Sequence, residues 1–317
     1  MNHILSIGQL RKKQIEDILS VSIDLEKNGG TTLQNKNIIF AFEKPSLRTV
    51  IATEVAINHL QGNVIHVKPE NFFEGQVLFS NKKQAHMKGR ESLKDTVKNV
   101  SEWCDAIFAR VFSHQTLLDI AEHSSIPIVN ALSDLHHPMQ ALADLFTIQE
   151  KFEKNSVSLA YIGDANNVAF SLFEIMLMFG HNVRFAGPKN YSFSKKQQLY
   201  FKKLAKKNHA SVSFTDNPKE AVKHADIVYT DTFVSMGEEQ KYEEKIKAFN
   251  GYQVNKKLFS YAKKGAFFMH CLPAHRGVEV TDEIIDSEIS LVYQQAKNRM
   301  VVSKGVFTTL LHQKYEH

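Results

Sequence analysis

The stretch IPIVNALSDLHHPMQALADLFTIQEKFEKNSVSLAYIGD, residues 126–164, contains the pattern that decides the fold. Its apolar run IPIVNAL is followed by a helical pattern that begins near Gln140, then by the polar segment KFEKNSVS, and then by a second apolar run, SLAYIGD. Both apolar runs have the length and composition of buried strands. The order strand, helix, strand predicts parallel sheets, and the polar segment predicts a domain junction.

The same alternation extends over the rest of the 317 residues. Before the junction, the predicted strands are 37–42, 63–67, 106–112 and 126–132, and the predicted helices are 47–61, 92–103 and 116–123. After it, the predicted strands are 158–164, 182–187, 211–216, 226–231, 266–272 and 290–295. The helices predicted there are 167–180, 195–208, 218–224, 282–287 and a last one over about 297–313. This rhythm is typical of the α/β class.

A single sheet of ten strands is less common than two smaller sheets, so two sheets are favoured. We predict two doubly wound parallel-sheet domains joined by the helix that begins near Gln140. The first domain is predicted to be 1–148, with a C-terminal helix, 297–317, that returns to it, and the second is 149–296. Ligands of such sheets bind at the carboxyl ends of the strands, so the residues that follow each strand are the candidates for a site.

Composition and charge argue against several classes of function. The net charge of +5 is spread in short clusters, and no motif combines basic and aromatic residues as nucleic-acid-binding modules do. A modest positive charge suits an anionic small substrate. Neither a membrane-spanning run nor a signal-peptide pattern is present. The two cysteines, Cys104 and Cys271, favour a reducing, cytoplasmic compartment, and no spacing indicates a metal site.

The segment PSLRT, residues 45–49, follows the first predicted strand and begins a helix. Ser46 is expected at the N-cap position. Together with Arg48, Thr49 and the free N–H groups of the first helical turn, it is typical of a phosphate site. A plain helix cap beside a surface arginine is an equally good interpretation of this segment alone.

Two further groups follow strands of the same predicted sheet. Arg110 lies near the end of the third strand among apolar residues, where it needs either an anionic ligand or a structural carboxylate. His137 and Gln140 follow the fourth strand. An imidazole can donate to a carbonyl oxygen, and a carboxamide can accept from an amide N–H₂. Packing and capping are the alternative roles for these histidines, and we assign His136 to them.

In the second half, IGDANN, residues 162–167, leads from a strand into a helix. It has a single glycine and lacks the G-x-G-x-x-G fingerprint, which argues against a nicotinamide cofactor. The side chain of Asn167, at the start of the helix, can instead hold a carboxylate.

Two later strands also end in polar residues. Asp231 ends one strand and is a natural partner for an amino group, and Ser235 and Met236 follow in the adjacent loop. HCLP, residues 270–273, ends the other strand. Cys271 is there either a nucleophile or a small residue at the edge of the core.

Taken together, these motifs resemble the aspartate/ornithine carbamoyltransferase family. SLRT resembles the family's Ser-x-Arg-Thr phosphate loop, and HPMQALAD resembles its His-Pro-x-Gln-x-x-x-Asp motif. DTFVSMGEE, GYQVN and HCLPAHRGVEV resemble signatures of the ornithine branch, and KNRM matches an Asn-Arg pair near the C-terminus. The resemblance covers essentially the whole chain, with the motifs in the family's order.

The resemblance implies a role for each matching residue. The residues that would bind the phosphate of carbamoyl phosphate are Ser46, Leu47 through its backbone, Arg48 and Thr49. Those that would reach the carbamoyl oxygen and the neighbouring phosphate are Arg110, His137 and Arg299. The acceptors of the carbamoyl N–H₂ would be Gln140 and the backbone of Leu272.

The resemblance also implies the second substrate and the assembly. Asn167, Asp231, Ser235 and Met236 would hold the α-amino and α-carboxylate groups of L-ornithine, and Cys271 would lie where the two substrates meet. The δ-amine would attack the carbamoyl carbon and give L-citrulline and phosphate, as in arginine metabolism. The family needs neither a metal nor an organic cofactor, and it forms homotrimers with active sites shared between neighbouring subunits.

The chain departs from the family's pattern at two places. Leu47 and Val50 replace the Thr and the last Arg of Ser-Thr-Arg-Thr-Arg. His86 stands where a neighbouring subunit contributes a Gln, and Lys88 is close to it. We expect His86 and Lys88 to supply a donor and a charge from the next subunit. A sister transcarbamylase that uses another amine, such as an acylated ornithine, and a non-catalytic relative that binds ligand or partner proteins are the alternative functions.

Overall fold

The computed structural model describes residues 3–73, 91–153, 155–235 and 239–312. The chain forms two compact units, which we call the first unit, Met1–Met139 with Arg299–His317, and the second unit, Gln140–Asn298. The chain passes from one unit to the other within two helices, Pro138–Phe152 and Val292–Leu311. The boundaries expected from the sequence, 148/149 and 296/297, lie inside the same two helices.

The first unit contains a parallel sheet with the strand order β2-β1-β3-β4. Its strands are β1 (Asn37–Phe42), β2 (Asn63–Val67), β3 (Ala106–Arg110) and β4 (Ile128–Leu132). Its helices are α1 (Lys12–Asn28), α2 (Leu47–His59), α3 (Pro69–Phe73), α4 (Leu93–Trp103) and α5 (His114–His123), and Pro138–Phe152 is α6. Alternate residues of β1 and β3 are buried on opposite faces, which is why these strands read as unbroken apolar runs.

The second unit contains a parallel sheet with the strand order β7-β6-β5-β8-β9. Its strands are β5 (Ser158–Ile162), β6 (Asn182–Ala186), β7 (Val212–Thr215), β8 (Ile227–Thr230) and β9 (Phe267–His270). Its helices are α7 (Asn167–Met178), α8 (Lys195–Lys207), α9 (Pro218–Val222), α10 (Tyr242–Ala248), α11 (Lys256–Phe259) and α12 (Asp282–Ile285), and Val292–Leu311 is α13. Phe173 of α7 packs edge-on against Tyr161 of β5 on one face, whereas Val222 and Ile284 lie in the core of the other.

The C-terminal part of α13 packs within the first unit, as predicted. Lys304 Nζ lies 2.9 Å from Glu26 Oε2 of α1, and the hydroxyls of Ser303 and Thr53 are 3.3 Å apart. At Gly305 a Cβ atom would lie 2.4 Å from the carbonyl oxygen of Ile18. Glycine is therefore required for the close approach of α13 to α1.

One predicted strand, 290–295, is wrong. Within it only Ser290 forms a parallel bridge, to Phe268, and α13 begins at Val292. Val292, Gln295 and Asn298 are buried and Tyr293 is 69% exposed, which is a helical spacing of buried positions. A segment as short as SLVYQQ, residues 290–295, does not distinguish a strand from the first turns of a buried helix. Among the described helices, none is long and apolar enough to cross a membrane.

In each sheet the direction of strand addition reverses once. The reversal falls between β1 and β3 in the first unit and between β5 and β8 in the second. Open parallel sheets bind their ligands in the crevice at the carboxyl ends of such a strand pair. The residues after these strands are therefore the places to look for a site in each unit.

Candidate active site

Two arginines converge on the first turn of α2, directly after β1. Ser46 occupies the N-cap position, as predicted, but its hydroxyl makes no capping hydrogen bond. Instead the Ser46 Oγ accepts from Arg110 Nη1 at 3.3 Å. Arg299 of α13 donates through Nη2 to the hydroxyl of Thr49, which is buried. The start of α2 is thus flanked by two guanidinium groups, and helix N-termini stabilise anions.

His137 lies near the same two arginines. Burial, and then the charges of Arg299 and Arg110, lower the pKa of His137 well below its ordinary value. The imidazole is therefore neutral at neutral pH, with one nitrogen able to donate and the other able to accept. Arg110, His137 and Arg299 are 6%, 5% and 8% exposed. Buried cations and a neutral N–H donor are the groups that bind a phosphate and polarise a carbonyl.

Leu47 and Arg48, which lie between Ser46 and Thr49, differ in exposure. Leu47 is 70% exposed at the first position of α2, while Arg48 is half-buried. Leu47 therefore contributes its backbone N–H to the donors of the helix N-terminus, and its side chain adds no donor. Arg48 lies in the same first turn of α2 as Thr49.

His136 has a different environment from His137. Its ring lies edge-to-face against that of His114, with centroids 4.9 Å apart, and its N–H and carbonyl both bond with Ser133. Burial, and then the His114 charge, lower the pKa of His136 to about 4. This histidine packs and shapes the turn before α6.

Gln140 lies on the first turn of α6 and is buried. Its Nε2 donates to Asp144 Oδ1 at 2.8 Å. Its Oε1 is also buried, and it has no hydrogen-bond partner among the residues that the structure describes. The carboxamide therefore presents an acceptor that a ligand N–H group can satisfy.

In the second unit, Asp231 follows β8 and its two carboxylate oxygens both accept. Asn166 Nδ2 donates to Oδ2 at 2.8 Å, and Cys271 Sγ donates to Oδ1 at 3.0 Å. Asp231 is 5% exposed and Cys271 is half-buried. Asn166 is the N-cap of α7, where its Oδ1 accepts from the Ala169 N–H at 3.0 Å. Asn167 follows it at the start of α7 and is half-buried.

Asn166 was not among the site residues predicted from the sequence, which included only its neighbour Asn167. The signal was present, because an asparagine directly before an apolar helical run is a preferred N-cap residue. The contact with Asp231 is not readable from the sequence, because it depends on the pairing of β5 with β8.

The turn after β9 is held by His270, which sequence reasoning also left without a role. Its Nδ1 accepts from the Leu272 N–H at 2.8 Å, and its Nε2 lies 3.2 Å from Glu279 Oε1, with both side chains fully buried. Leu272 has a φ of 56°, a left-handed conformation that is costly for a branched residue. The imidazole thus stabilises the backbone of the residue whose carbonyl was predicted to accept from the ligand.

Asp231, His270 and Cys271 also bring three metal-ligating atom types within 4.8 Å of one another. Both ring nitrogens of His270 are engaged by Leu272 and Glu279, however, and the sulfur donates to Asp231. The trio is organised by hydrogen bonds within the protein. Of the other predicted site residues, Ser235 is half-buried, and Met236, His86 and Lys88 lie outside the described residues.

Comparison with known proteins gives the family. Residues 2–150 match the model of the carbamoyl-P binding domain of aspartate/ornithine carbamoyltransferase, and residues 155–310 match that of the Asp/Orn binding domain. The chain belongs to the aspartate/ornithine carbamoyltransferase family. Both the resemblance predicted from the motifs and the α/β fold with two parallel sheets are confirmed.

Individual members of this carbamoyltransferase family agree with the match. An ornithine carbamoyltransferase from Methanococcus vannielii is 42% identical, over 98% of this chain and 99% of that protein. A catabolic ornithine carbamoyltransferase from Thermoplasma acidophilum is 40% identical, over 97% and 98%. The solved structure of ornithine carbamoyltransferase from Pyrococcus furiosus has a TM-score of 0.89 and 37% identity, over 98% and 97%. The chain is thus an enzyme of the carbamoyltransferase type.

Proposed function

We propose that this enzyme transfers the carbamoyl group of carbamoyl phosphate to the δ-amine of L-ornithine and releases L-citrulline and phosphate. The observation that carries the proposal is the buried group of Arg110, His137 and Arg299 at the N-terminus of α2. It combines fixed positive charge with a neutral donor, as a phosphorylated carbonyl compound requires. The names of the similar proteins support ornithine as the acceptor.

Each group has a proposed task on carbamoyl phosphate. The phosphate is bound by the hydroxyl and backbone groups of residues 46–49 and by the guanidinium of Arg48. Arg110, His137 and Arg299 contact the carbamoyl oxygen and the adjacent phosphate. The N–H₂ group donates to the buried Oε1 of Gln140 and to the carbonyl of Leu272.

The second unit is proposed to bind the amino acid. Asp231 holds the α-amino group, Asn167 holds the α-carboxylate, and Ser235 and Met236 complete this set. Cys271 lies beside Asp231 as a thiol donor, so its first task is to orient that carboxylate. The proposed set needs neither a metal nor an organic cofactor.

The chemical step follows from these placements. The neutral δ-amine attacks the carbamoyl carbon, a C–N bond forms, and the carbonyl oxygen gains negative charge in the tetrahedral intermediate. The C–O bond to the phosphate then breaks, and the departing phosphate takes the proton from the attacking nitrogen. Donors held in place before the reaction stabilise the oxygen most, and losing one typically costs about 10²–10³-fold in rate.

The pH dependence of the rate tests whether the attacking amine, and not His137, is the group whose protonation controls the reaction. An alkyl ammonium has an ordinary pKa of about 10.4, so kcat/KM for ornithine should rise with pH across the neutral and alkaline range. His137 should add no inflection to the pH profile near its ordinary pKa of about 6.5. Its pKa is lowered, so the ring is already neutral at that pH. A pH profile of wild type and His137→Gln checks this. An inflection near pH 6.5 in the wild-type profile that is absent in His137→Gln would instead assign proton transfer to His137.

An assay of carbamoyl transfer to several acceptors tests the proposed reaction. Ornithine, aspartate and acetylornithine are offered side by side with carbamoyl phosphate, and the carbamoylated product is measured. Citrulline should form in large excess. Preference for acetylornithine or aspartate would identify a sister transcarbamylase, and no product with any acceptor would identify a non-catalytic relative.

We further propose a homotrimer, or a multiple of it, in the cytoplasm, with a role in arginine biosynthesis. An apolar surface supports the assembly: Leu47 and Ile51 of α2 are 70% and 52% exposed one turn apart. Next to it, Ile65 on the edge strand β2 is 41% exposed, and Glu54 of α2 bonds His66 of β2 at 3.0 Å. Exposed apolar surface beside an open strand edge is typical of an interface.

Substitution in this apolar surface tests the assembly. Ile51→Glu should lower the mass measured by light scattering from three chains to one, because a charge cannot be desolvated at the interface. Ile23→Glu, on the exposed face of α1, is the matched control and should leave the mass unchanged. A trimer that survives Ile51→Glu would place the interface elsewhere.

A further inference from the structure

A fully buried carboxylate, Asp144 of α6, lies at the centre of three donors in the second unit. Gln140 Nε2 and Gln295 Nε2 each donate to its Oδ1 at 2.8 Å, and the Tyr229 hydroxyl donates to its Oδ2 at 3.0 Å. Burial, and then the Asp144 charge, raise the pKa of Tyr229 well above its ordinary value, so that hydroxyl stays protonated. All three partners therefore act as donors towards one carboxylate.

An ionised carboxylate can only accept, whereas a carboxamide can both donate and accept. Asp144 therefore decides which end of the Gln140 carboxamide faces it. The N–H₂ end is bonded to Asp144, which leaves Oε1 on the other side, buried and without a partner among the described residues. A buried acceptor without a donor costs free energy, which a ligand N–H group would recover.

The same carboxylate also orients a second carboxamide. Because Gln295 donates to Asp144, its Oε1 is turned to accept from the backbone N–H of His270, at 3.0 Å. His270 precedes Cys271 and Leu272 and holds the N–H of Leu272. The two residues proposed to accept from the carbamoyl N–H₂, Gln140 and Leu272, are thus both connected to Asp144.

We propose that Asp144 is a positioning residue that makes the enzyme selective for acyl phosphates with an N–H₂ group, by holding Gln140 as an acceptor. This inference rests on the proposed function. Acetyl phosphate is the informative comparison, because it replaces the N–H₂ of carbamoyl phosphate by a methyl group of similar size. It keeps the phosphate and the carbonyl oxygen but has no N–H group to donate.

The test measures the affinities of carbamoyl phosphate and acetyl phosphate for the purified enzyme by calorimetry. In Asp144→Leu the side chain no longer accepts a hydrogen bond, so nothing holds the N–H₂ of Gln140 away from the ligand. The affinity for carbamoyl phosphate should fall about 10- to 100-fold, while that for acetyl phosphate should change less than about threefold. A loss of protein stability alone would lower the affinity for both ligands equally or for neither.

Two further variants identify the route of the effect. Tyr229→Phe removes one donor from Asp144 and leaves the orientation of both carboxamides fixed, so it should lower stability but keep the ratio of the two affinities. Gln140→Met removes one of the two proposed acceptors and should by itself lower the preference for carbamoyl phosphate about 10- to 100-fold. Adding Asp144→Leu to Gln140→Met should then change the ratio by less than about threefold, which is the non-additivity expected of groups that act together.

The outcomes separate this inference from the proposed function. A wild-type enzyme that binds carbamoyl phosphate no more tightly than acetyl phosphate would contradict the proposed function itself. A wild-type enzyme that prefers carbamoyl phosphate, with the same preference in Asp144→Leu, would overturn the role of Asp144. If Asp144→Leu does not fold, Asp144→Ala, which also lacks an acceptor, is measured in its place with the same two outcomes.

Discussion

Replacing Arg48 by alanine is expected to lower kcat/KM for carbamoyl phosphate by about 10³-fold or more, while the protein stays folded. Arg48 is half-buried in the first turn of α2, beside the Thr49 that Arg299 contacts. A guanidinium can hold two phosphate oxygens at once, and that contact strengthens as charge moves onto the departing phosphate. Steady-state kinetics with varied carbamoyl phosphate and a thermal melt measure the two parts of this prediction.

The conservative variant Arg48→Lys is the matched control. It keeps the charge but loses the planar pair of donors, so it should recover only part of the lost activity. Lys36→Ala provides a second control, because Lys36 is bonded to Asp105 in the same unit and has no proposed task. Wild-type rates in Arg48→Ala, or equal losses in Arg48→Ala and Lys36→Ala, would remove Arg48 from the mechanism.

Asp231→Asn should reduce kcat/KM for ornithine by about 10²–10³-fold and leave the affinity for carbamoyl phosphate within a few-fold of wild type. The substitution keeps the shape of the side chain but removes the buried charge proposed to hold the α-amino group. It also exchanges one acceptor for a donor opposite Asn166 or Cys271. The measurement is initial rates at varied ornithine, with carbamoyl phosphate binding measured separately.

The chain provides a control for this prediction on the same strand. Asp226 precedes β8 at the opposite end of the sheet from Asp231 and bonds the N–H of Ser158 and the amine of Lys263. Asp226→Asn should cost some stability and leave the kinetics with ornithine unchanged. Equal damage by Asp231→Asn to both substrates would show that the two units do not divide the substrates as proposed.

The sequence predicts most of the architecture, because parallel strands covered on both faces are continuous apolar runs. Nine of the predicted strands coincide with strands of the described residues. The tenth, 290–295, failed because the helical spacing of Val292 and Gln295 is visible only when burial is known. Several short helices, α3, α10 and α11 among them, were not predicted, since four to seven residues give too few turns for a periodic pattern.

The candidate site was predictable by position and much less by contact. Ser46, Arg110 and Asp231 were found because polar residues at strand ends are conspicuous after apolar runs. That the Ser46 hydroxyl bonds Arg110 instead of capping α2 follows from the neighbouring positions of β1 and β3, 64 residues apart along the chain. The part played by Asp144 depends on donors from α6, β8 and α13, which only the folded second unit brings together.

The most direct test of the account is a crystal structure with a bisubstrate analogue that joins a phosphonoacetyl group to the δ-nitrogen of ornithine. The account predicts the phosphonate against Ser46, Arg48 and Thr49, and the amino-acid end beside Asn167 and Asp231, in one molecule. Density for either end anywhere else, or no binding at millimolar concentration, would contradict it.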